Sequence, residues 1–171
     1  MKKILAFLVL LIIVAVGWFL WTGRGSNSAP EIKIAPATSK PDASNATFTF
    51  EDGPVTLTNG NSDAVSLTDY KAYGDVNQDG KNDTAVILAQ SSGGSGVFVY
   101  VAAYVSGNVT YKGSNAVFIG DRISPESISI DASGNIKVTY LDRKPNEPMA
   151  AEPTVPTTKT YSYVSGELVE K

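Results

Sequence analysis

Hydrophobic residues follow three regimes along this chain. Residues 4–21 are apolar without interruption, whereas residues 22–46 scatter Pro30, Pro36 and Pro41 among Gly, Ser, Asn and Ala. From Thr47 onward the period is two. Phe48 and Phe50 alternate with Thr47 and Thr49, Asp52-Gly53 signals a turn, and Val55 and Leu57 continue the same face. Further on, Ile128 and Ile130 alternate with Ser127, Ser129 and Asp131, and Ser133-Gly134 leads into Ile136, Val138 and Tyr140. A weaker third pair, 159–164 and 167–169, flanks Ser165-Gly166. Segments 85–89 and 97–105 are continuously apolar, which is expected of central strands covered on both faces. The polar stretch 91–96 joins them as a loop between antiparallel neighbours. Only 62–72 has room for a helix, and a short one. The pattern predicts an all-β domain over 47–171, an antiparallel sandwich or curved sheet of about seven to nine strands.

The first regime reads as a membrane segment. As a helix, residues 4–21 reach about 27 Å, close to the roughly 30 Å hydrocarbon core. A cleaved signal is the competing reading, and Ala15-Val16-Gly17 nearly supplies its site, but Trp18-Phe19-Leu20-Trp21 would then be left exposed on the mature end. Ser26-Asn27-Ser28-Ala29 is followed by Pro30, a poor residue after a cut. Trp18 and Trp21 instead sit where interfacial aromatics anchor a helix, and Lys2 and Lys3 outweigh Arg24. The expectation is an anchor over 1–21 that crosses the cytoplasmic membrane once, with its N-terminus in the cytoplasm. Residues 22–46 hold no aromatic side chain and too little apolar surface to offset ordering, so they read as a flexible linker. Ile32 and Ile34 are the exception and have the spacing of a short edge strand.

Composition narrows the chemistry. With Lys2 and Lys3 set aside, twelve basic residues face seventeen acidic ones, a net of −5. No basic patch is present, so nucleic acid is not an expected partner. The chain has no Cys and no His. That excludes disulfides, thiolate or histidine metal sites, and a Ser-His-Asp triad. Gly93-Gly94-Ser95-Gly96-Val97 breaks the G-x-S-x-G pattern, and no S-x-x-K occurs. No catalytic residue is assigned. The remaining enzymatic possibility is a small glycan hydrolase built on two carboxylates, for which a domain of this size offers little room.

The run 74–88 carries the strongest motif. Asp75, Asn77, Asp79 and Asp83 stand at positions 1, 3, 5 and 9 of a loop, Lys81 supplies a backbone carbonyl at 7, and Gly80 takes the sharp turn at 6. This is the spacing of a Ca²⁺ loop, and Mg²⁺ fits it less well because it retains more water. Position 12 is Val86, so the bidentate Glu of an EF-hand is missing and further ligands must come from water or elsewhere. The alternative is a turn rich in Asp, Asn and Gly that binds nothing tightly. Tyr73-Gly74-Asp75-x-Asn77-x-Asp79-Gly80-x-x-Asp83-x-Ala85-Val86 resembles the FG-GAP calcium loop of integrin-type propellers, and less closely one dockerin half. The likeness covers the loop alone: a propeller needs several such repeats, and the acidic residue and second helix of a dockerin are absent.

A broader resemblance spans the outer domain. Residues 45–57, the loop, Ser92-Gly93-Gly94-Ser95-Gly96-x-Phe98, the stretch 115–123 and the stretch 140–149 are similar to an uncharacterised family of bacterial membrane-anchored envelope proteins. The resemblance implies an envelope location and no mechanism. Within those stretches, Asp121-Arg122 and Asp142-Arg143 end two predicted strands, and Glu147 follows the second. They read either as a shared polar groove for a sugar or peptide, as sources of a missing metal ligand, or as turns whose charges satisfy local backbone groups. The function expected is a binding module for a wall polymer or an envelope protein. A structural or assembly component without a separate ligand is the alternative.

Overall fold

In the computed structural model, residues 40–91 and 93–171 are described, all within the second of the chain's two units, Pro36–Lys171. The alternating stretches become eleven strands: β1 (Thr47–Phe50), β2 (Gly53–Thr56), β3 (Val65–Gly74), β4 (Asp83–Gln90), β5 (Phe98–Ser106), β6 (Tyr111–Gly113), β7 (Val117–Asp121), β8 (Ser124–Ile130), β9 (Ile136–Asp142), β10 (Val155–Val164) and β11 (Glu167–Glu170). Among the described residues one 3₁₀ turn, Ala43–Asn45, precedes them, with the Asp42 carboxylate accepting from the Ser44 N–H. The strands form a β1-β2 hairpin, a sheet ordered β3-β4-β5-β6 with β7 also on β5, and a sheet ordered β11-β10-β9-β8. All named strand pairs are antiparallel.

The continuously apolar β4 explains the layering. Ala85, Val86, Ile87 and Leu88 are fully buried, and alternate residues enter different cores. Ala85 and Ile87 join Val101, Ala103, Ile136, Val138, Tyr140 and Tyr161, where the central sheet meets the β8–β11 sheet. Val86 and Leu88 join Phe48, Phe50, Leu57, Val65 and Ala102 beneath the β1-β2 hairpin. Each fully buried Val, Leu or Phe is worth about 1.5–3 kcal/mol, so a polar residue on either face of β4 would be costly. Two hairpin turns fall where they were expected, at Ser133-Gly134 and Ser165-Gly166, and the first lies one residue earlier, at Glu51-Asp52, with Gly53 opening β2 opposite Phe50.

Three expectations change. The segment 62–72 forms no helix and instead supplies most of β3. Ser62 turns the chain, accepting from the Val65 N–H at 3.0 Å, and the open edge of β4 then draws the segment into the sheet. Pairing over propensity decides it. The ladder slips between Leu67 and Lys71, and there the Thr68 hydroxyl donates to the Ile87 carbonyl at 2.8 Å in place of a strand N–H. The strand number exceeds seven to nine because pieces as short as β6, three residues long, carry no readable alternation. The folded part also begins before Thr47: Pro41, Ala43 and Ala46 are buried, and Pro41 accepts a hydrogen bond from Thr84. No helix among the described residues is long and apolar enough to cross a membrane. The predicted anchor at 4–21, and Ile32 and Ile34, lie outside the described residues.

Candidate functional site

The loop 75–82 joins β3 to β4, whose ends pair as Gly74 with Asp83. Its conformation is held from within by side-chain oxygens. Asp75 accepts from the Asp79 N–H at 3.0 Å through Oδ1 and from the Gly80 N–H at 2.8 Å through Oδ2. Asn77 Oδ1 shares the Asp79 N–H at 3.2 Å, and Asp79 Oδ1 accepts from the Lys81 N–H at 2.9 Å. Gln78 and Gly80 have φ of 62° and 83°, the left-handed region that glycine adopts without a Cβ penalty. Each bonded carboxylate oxygen keeps a second acceptor site.

Asp83 does something else. It is fully buried, with Oδ2 accepting from the N–H groups of Val76 at 2.8 Å and Asn77 at 3.3 Å, and Oδ1 from the Ser106 N–H at 2.7 Å. Among the described residues no lysine or arginine forms an ion pair with it. Asp83 therefore anchors the loop to the end of β5. Ser106 completes that attachment: its hydroxyl donates to Asp79 Oδ2 at 2.7 Å and its carbonyl accepts from Asn77 Nδ2 at 2.8 Å. Lys81 contributes its backbone N–H and its ammonium, which lies 3.5 Å from Asp79 Oδ2 and donates to the Gly107 carbonyl at 3.2 Å. Burial works to raise the Asp79 carboxyl, but the Ser106 hydroxyl, the Lys81 N–H and Asn77 together hold it below its ordinary value. Beside the loop, burial and then the Asp83 charge push the Tyr111 phenol up, and its hydroxyl donates to the Asn82 carbonyl at 2.9 Å.

The fit to a cation divides the predicted ligands. Asp75, Asn77 and Asp79 gather oxygens around the amides of residues 79–81, an all-oxygen set of the kind hard cations take. Asp83 faces amides with both of its oxygens, and among the described residues no group of three acidic side chains is close enough to hold an ion alone. Three carboxylates and one ammonium nevertheless leave the loop with two uncompensated negative charges. The β8-β9 turn closes the loop's other side. A Cβ on Gly134 would lie 2.8 Å from the Asp75 carbonyl oxygen and 2.7 Å from that of Val76. Asp131 in that turn is occupied by the Ser133 and Asn135 N–H groups at 2.8 and 2.9 Å.

The two charged loops do come together, as a clasp. Arg122 pairs with Asp121 through Nε at 3.2 Å and Nη2 at 2.9 Å. Arg143 donates to the carbonyls of Asp121 at 3.3 Å, Arg122 at 2.9 Å and Ala151 at 2.7 Å. Asp142 accepts from the Arg143 N–H at 2.7 Å, and Glu147 from the Lys144 N–H at 2.9 Å. The Arg122 hydrogen bond and Arg122 charge hold the Asp121 carboxyl below its ordinary value against a smaller desolvation effect. These groups are engaged with one another and with backbone, and none of them reaches the 75–83 loop in these bonds.

Ser106 is the site residue that sequence reasoning missed. Its only signal is a polar Ser-Gly at the end of an apolar run, which reads as an ordinary strand terminus. Comparison with protein-family models, with curated proteins and with solved structures returned no match for this chain.

Proposed function

We propose that this chain presents a β domain outside the cytoplasmic membrane, tethered by residues 4–21, and that one Ca²⁺ ion at the 75–83 loop stabilises it. The domain works as a binding module for an envelope polymer or protein. The observation that carries the metal reading is the charge imbalance: Asp75, Asp79 and the buried Asp83 bring three carboxylates together, and among the described residues the one ion pair any of them makes is that of Asp79 with the Lys81 ammonium. Repulsion among such groups in a partly desolvated loop is relieved by a cation. Asp75, Asn77 and Asp79 would hold the ion. Asp83, at the position often served through water, adds charge from beneath while it fixes the amides of Val76, Asn77 and Ser106. The ion supplies stability, not reaction chemistry.

Because the ion binds the folded loop alone, at about ten times its dissociation constant it adds roughly 1.4 kcal/mol. That raises the melting temperature by a few degrees for a domain of this size. The test is thermal melting of the full chain in detergent micelles, in chelator and in millimolar calcium, for the wild type and Asp79→Ala. A calcium-dependent rise that Asp79→Ala abolishes is expected. Wild-type curves that coincide in chelator and in calcium would leave the loop as a turn.

A further inference from the structure

Away from the loop, the hairpin β1-β2 and the outer strand β6 enclose a groove. Its main hollow measures about 450 Å³ and is lined by Asn45, Thr47, Thr49, Tyr104, Tyr111 and Lys112 among others. A second hollow of about 250 Å³ runs on toward the Ser165-Gly166 turn and shares Thr49, Lys112 and Gly113 with the first. The floor exists because residue 113 is glycine: a Cβ there would lie 2.1 Å from the Thr47 carbonyl oxygen. Along one wall the Tyr104 and Tyr111 rings stack with centroids 5.3 Å apart and planes 29° from parallel. Both rings are half-buried, and Tyr111 is further fixed by its bond to Asn82.

We infer that this groove binds a linear oligosaccharide, with at least one sugar ring in each hollow. The inference rests on the reading of the domain as an extracytoplasmic binding module and names the class of its ligand. Three features favour a saccharide. Rigid, amphipathic tyrosines present contact area at little cost in side-chain entropy, which suits the apolar faces of sugar rings. Thr47, Tyr111, Ser114 and Asn115 in the lining are held by bonds within the fold, which leaves single side-chain donors and acceptors for a ligand: the Thr49 and Tyr104 hydroxyls, the Lys112 ammonium and, at the far end, the Glu167 carboxylate, none of which has a side-chain hydrogen-bond partner among the described residues. Lys112 and Glu167 carry opposite charges, so the groove as a whole favours neutral hydroxylated ligands. A peptide adding as a strand is disfavoured where the two hollows meet, because the backbone of Thr49 and Ser114 there is already paired. The Thr49 N–H donates to Ser114, the Thr49 carbonyl accepts from Ala116, and the Ser114 N–H donates to Ala103.

Calorimetric titration of the full chain in micelles with chitotetraose and with cellotetraose tests this, each in chelator and in calcium. Saturable binding of at least one is expected. Tyr111→Ala should weaken it by about tenfold or more, as loss of an aromatic anchor does. Tyr111→Phe should retain it, and Lys112→Glu, an exposed change that breaks no side-chain hydrogen bond or ion pair among the described residues, should weaken it several-fold. Absence of saturable binding by both tetraoses overturns the inference, as does binding that Tyr111→Ala and Lys112→Glu leave unchanged. The calcium melting shift is read separately. A chain that responds to calcium and ignores both sugars loses the groove assignment alone, whereas sugar binding without a calcium response removes the metal.

Discussion

Replacing Asp83 by alanine separates the structural part of the loop from the part proposed to hold a cation. The carboxylate accepts from two buried amides, Val76 and Ser106, and from the half-buried amide of Asn77. Truncation strands all three donors. Each orphaned buried amide costs about 1–3 kcal/mol, so the two buried ones alone imply roughly 2–6 kcal/mol. Relief of repulsion from Asp75 and Asp79 offsets part of this, and about 3 kcal/mol is a reasonable centre. That is a large share of the roughly 5–15 kcal/mol by which domains are stable. It corresponds to a fall of about ten degrees in melting temperature. Asp79→Ala removes an exposed bond to the Lys81 N–H, a part-buried one to the Ser106 hydroxyl and the exposed ion pair with Lys81, and it strands no buried amide, so in chelator it should cost about 1 kcal/mol or less.

Urea unfolding of the full chain in micelles, followed by circular dichroism in chelator, reads these differences as midpoint shifts at constant slope. Asp83→Asn belongs between the two, at about 1–3 kcal/mol, since it keeps one acceptor but turns an NH₂ toward an amide donor. In calcium, Asp83→Asn should also show a smaller stabilisation than wild type, because the site has lost a charge. An Asp83→Ala variant within 1 kcal/mol of wild type would refute the anchor role. So would a chelator ranking in which Asp79→Ala is the more damaging change.

Two further outcomes follow from the core and from the N-terminal segment. The Tyr161 hydroxyl is buried without a hydrogen-bond partner among the described residues, so Tyr161→Phe should leave stability unchanged or raise it by about 1 kcal/mol, and a loss larger than that would reveal a partner. Burial, with smaller effects from Glu170 and Tyr140, also raises its ionisation well above the ordinary value of 10.0; the neutral form's stability is therefore complete below pH 10 and is lost as pH rises beyond it, so the phenylalanine variant should resist alkaline unfolding better than wild type. Protease added to intact spheroplasts should degrade the domain of 47–171 while the untreated chain stays with the membrane, and recovery of a soluble protein beginning near Trp18 or Pro30 would reject the anchor.

What was legible in the sequence is what is local. The hairpins at residues 51–53, 133–134 and 165–166 announce themselves because alternation on both sides of a glycine is contained within a few residues. β4 and β5 are legible because burial on both faces removes polar residues from the run itself. β3 is not, since its bulge exposes Asp69, Tyr70 and Lys71 in succession and breaks the period just where a helix would also break it. The groove could not be read at all: Thr47 and Thr49 meet Tyr104 and Tyr111 only once the hairpin has folded over the edge of the central sheet. The loop lies between these cases. Spacing alone selects Asp75, Asn77, Asp79 and Asp83 as oxygen donors, and the first three do gather around one run of amides. Which way Asp83 turns depends on the Ser106 N–H, brought from the end of β5 by the pairing of Thr84 with Tyr104. A loop motif specifies its donors; whether a given carboxylate faces a cation or an amide is decided by a neighbouring strand that the motif does not contain.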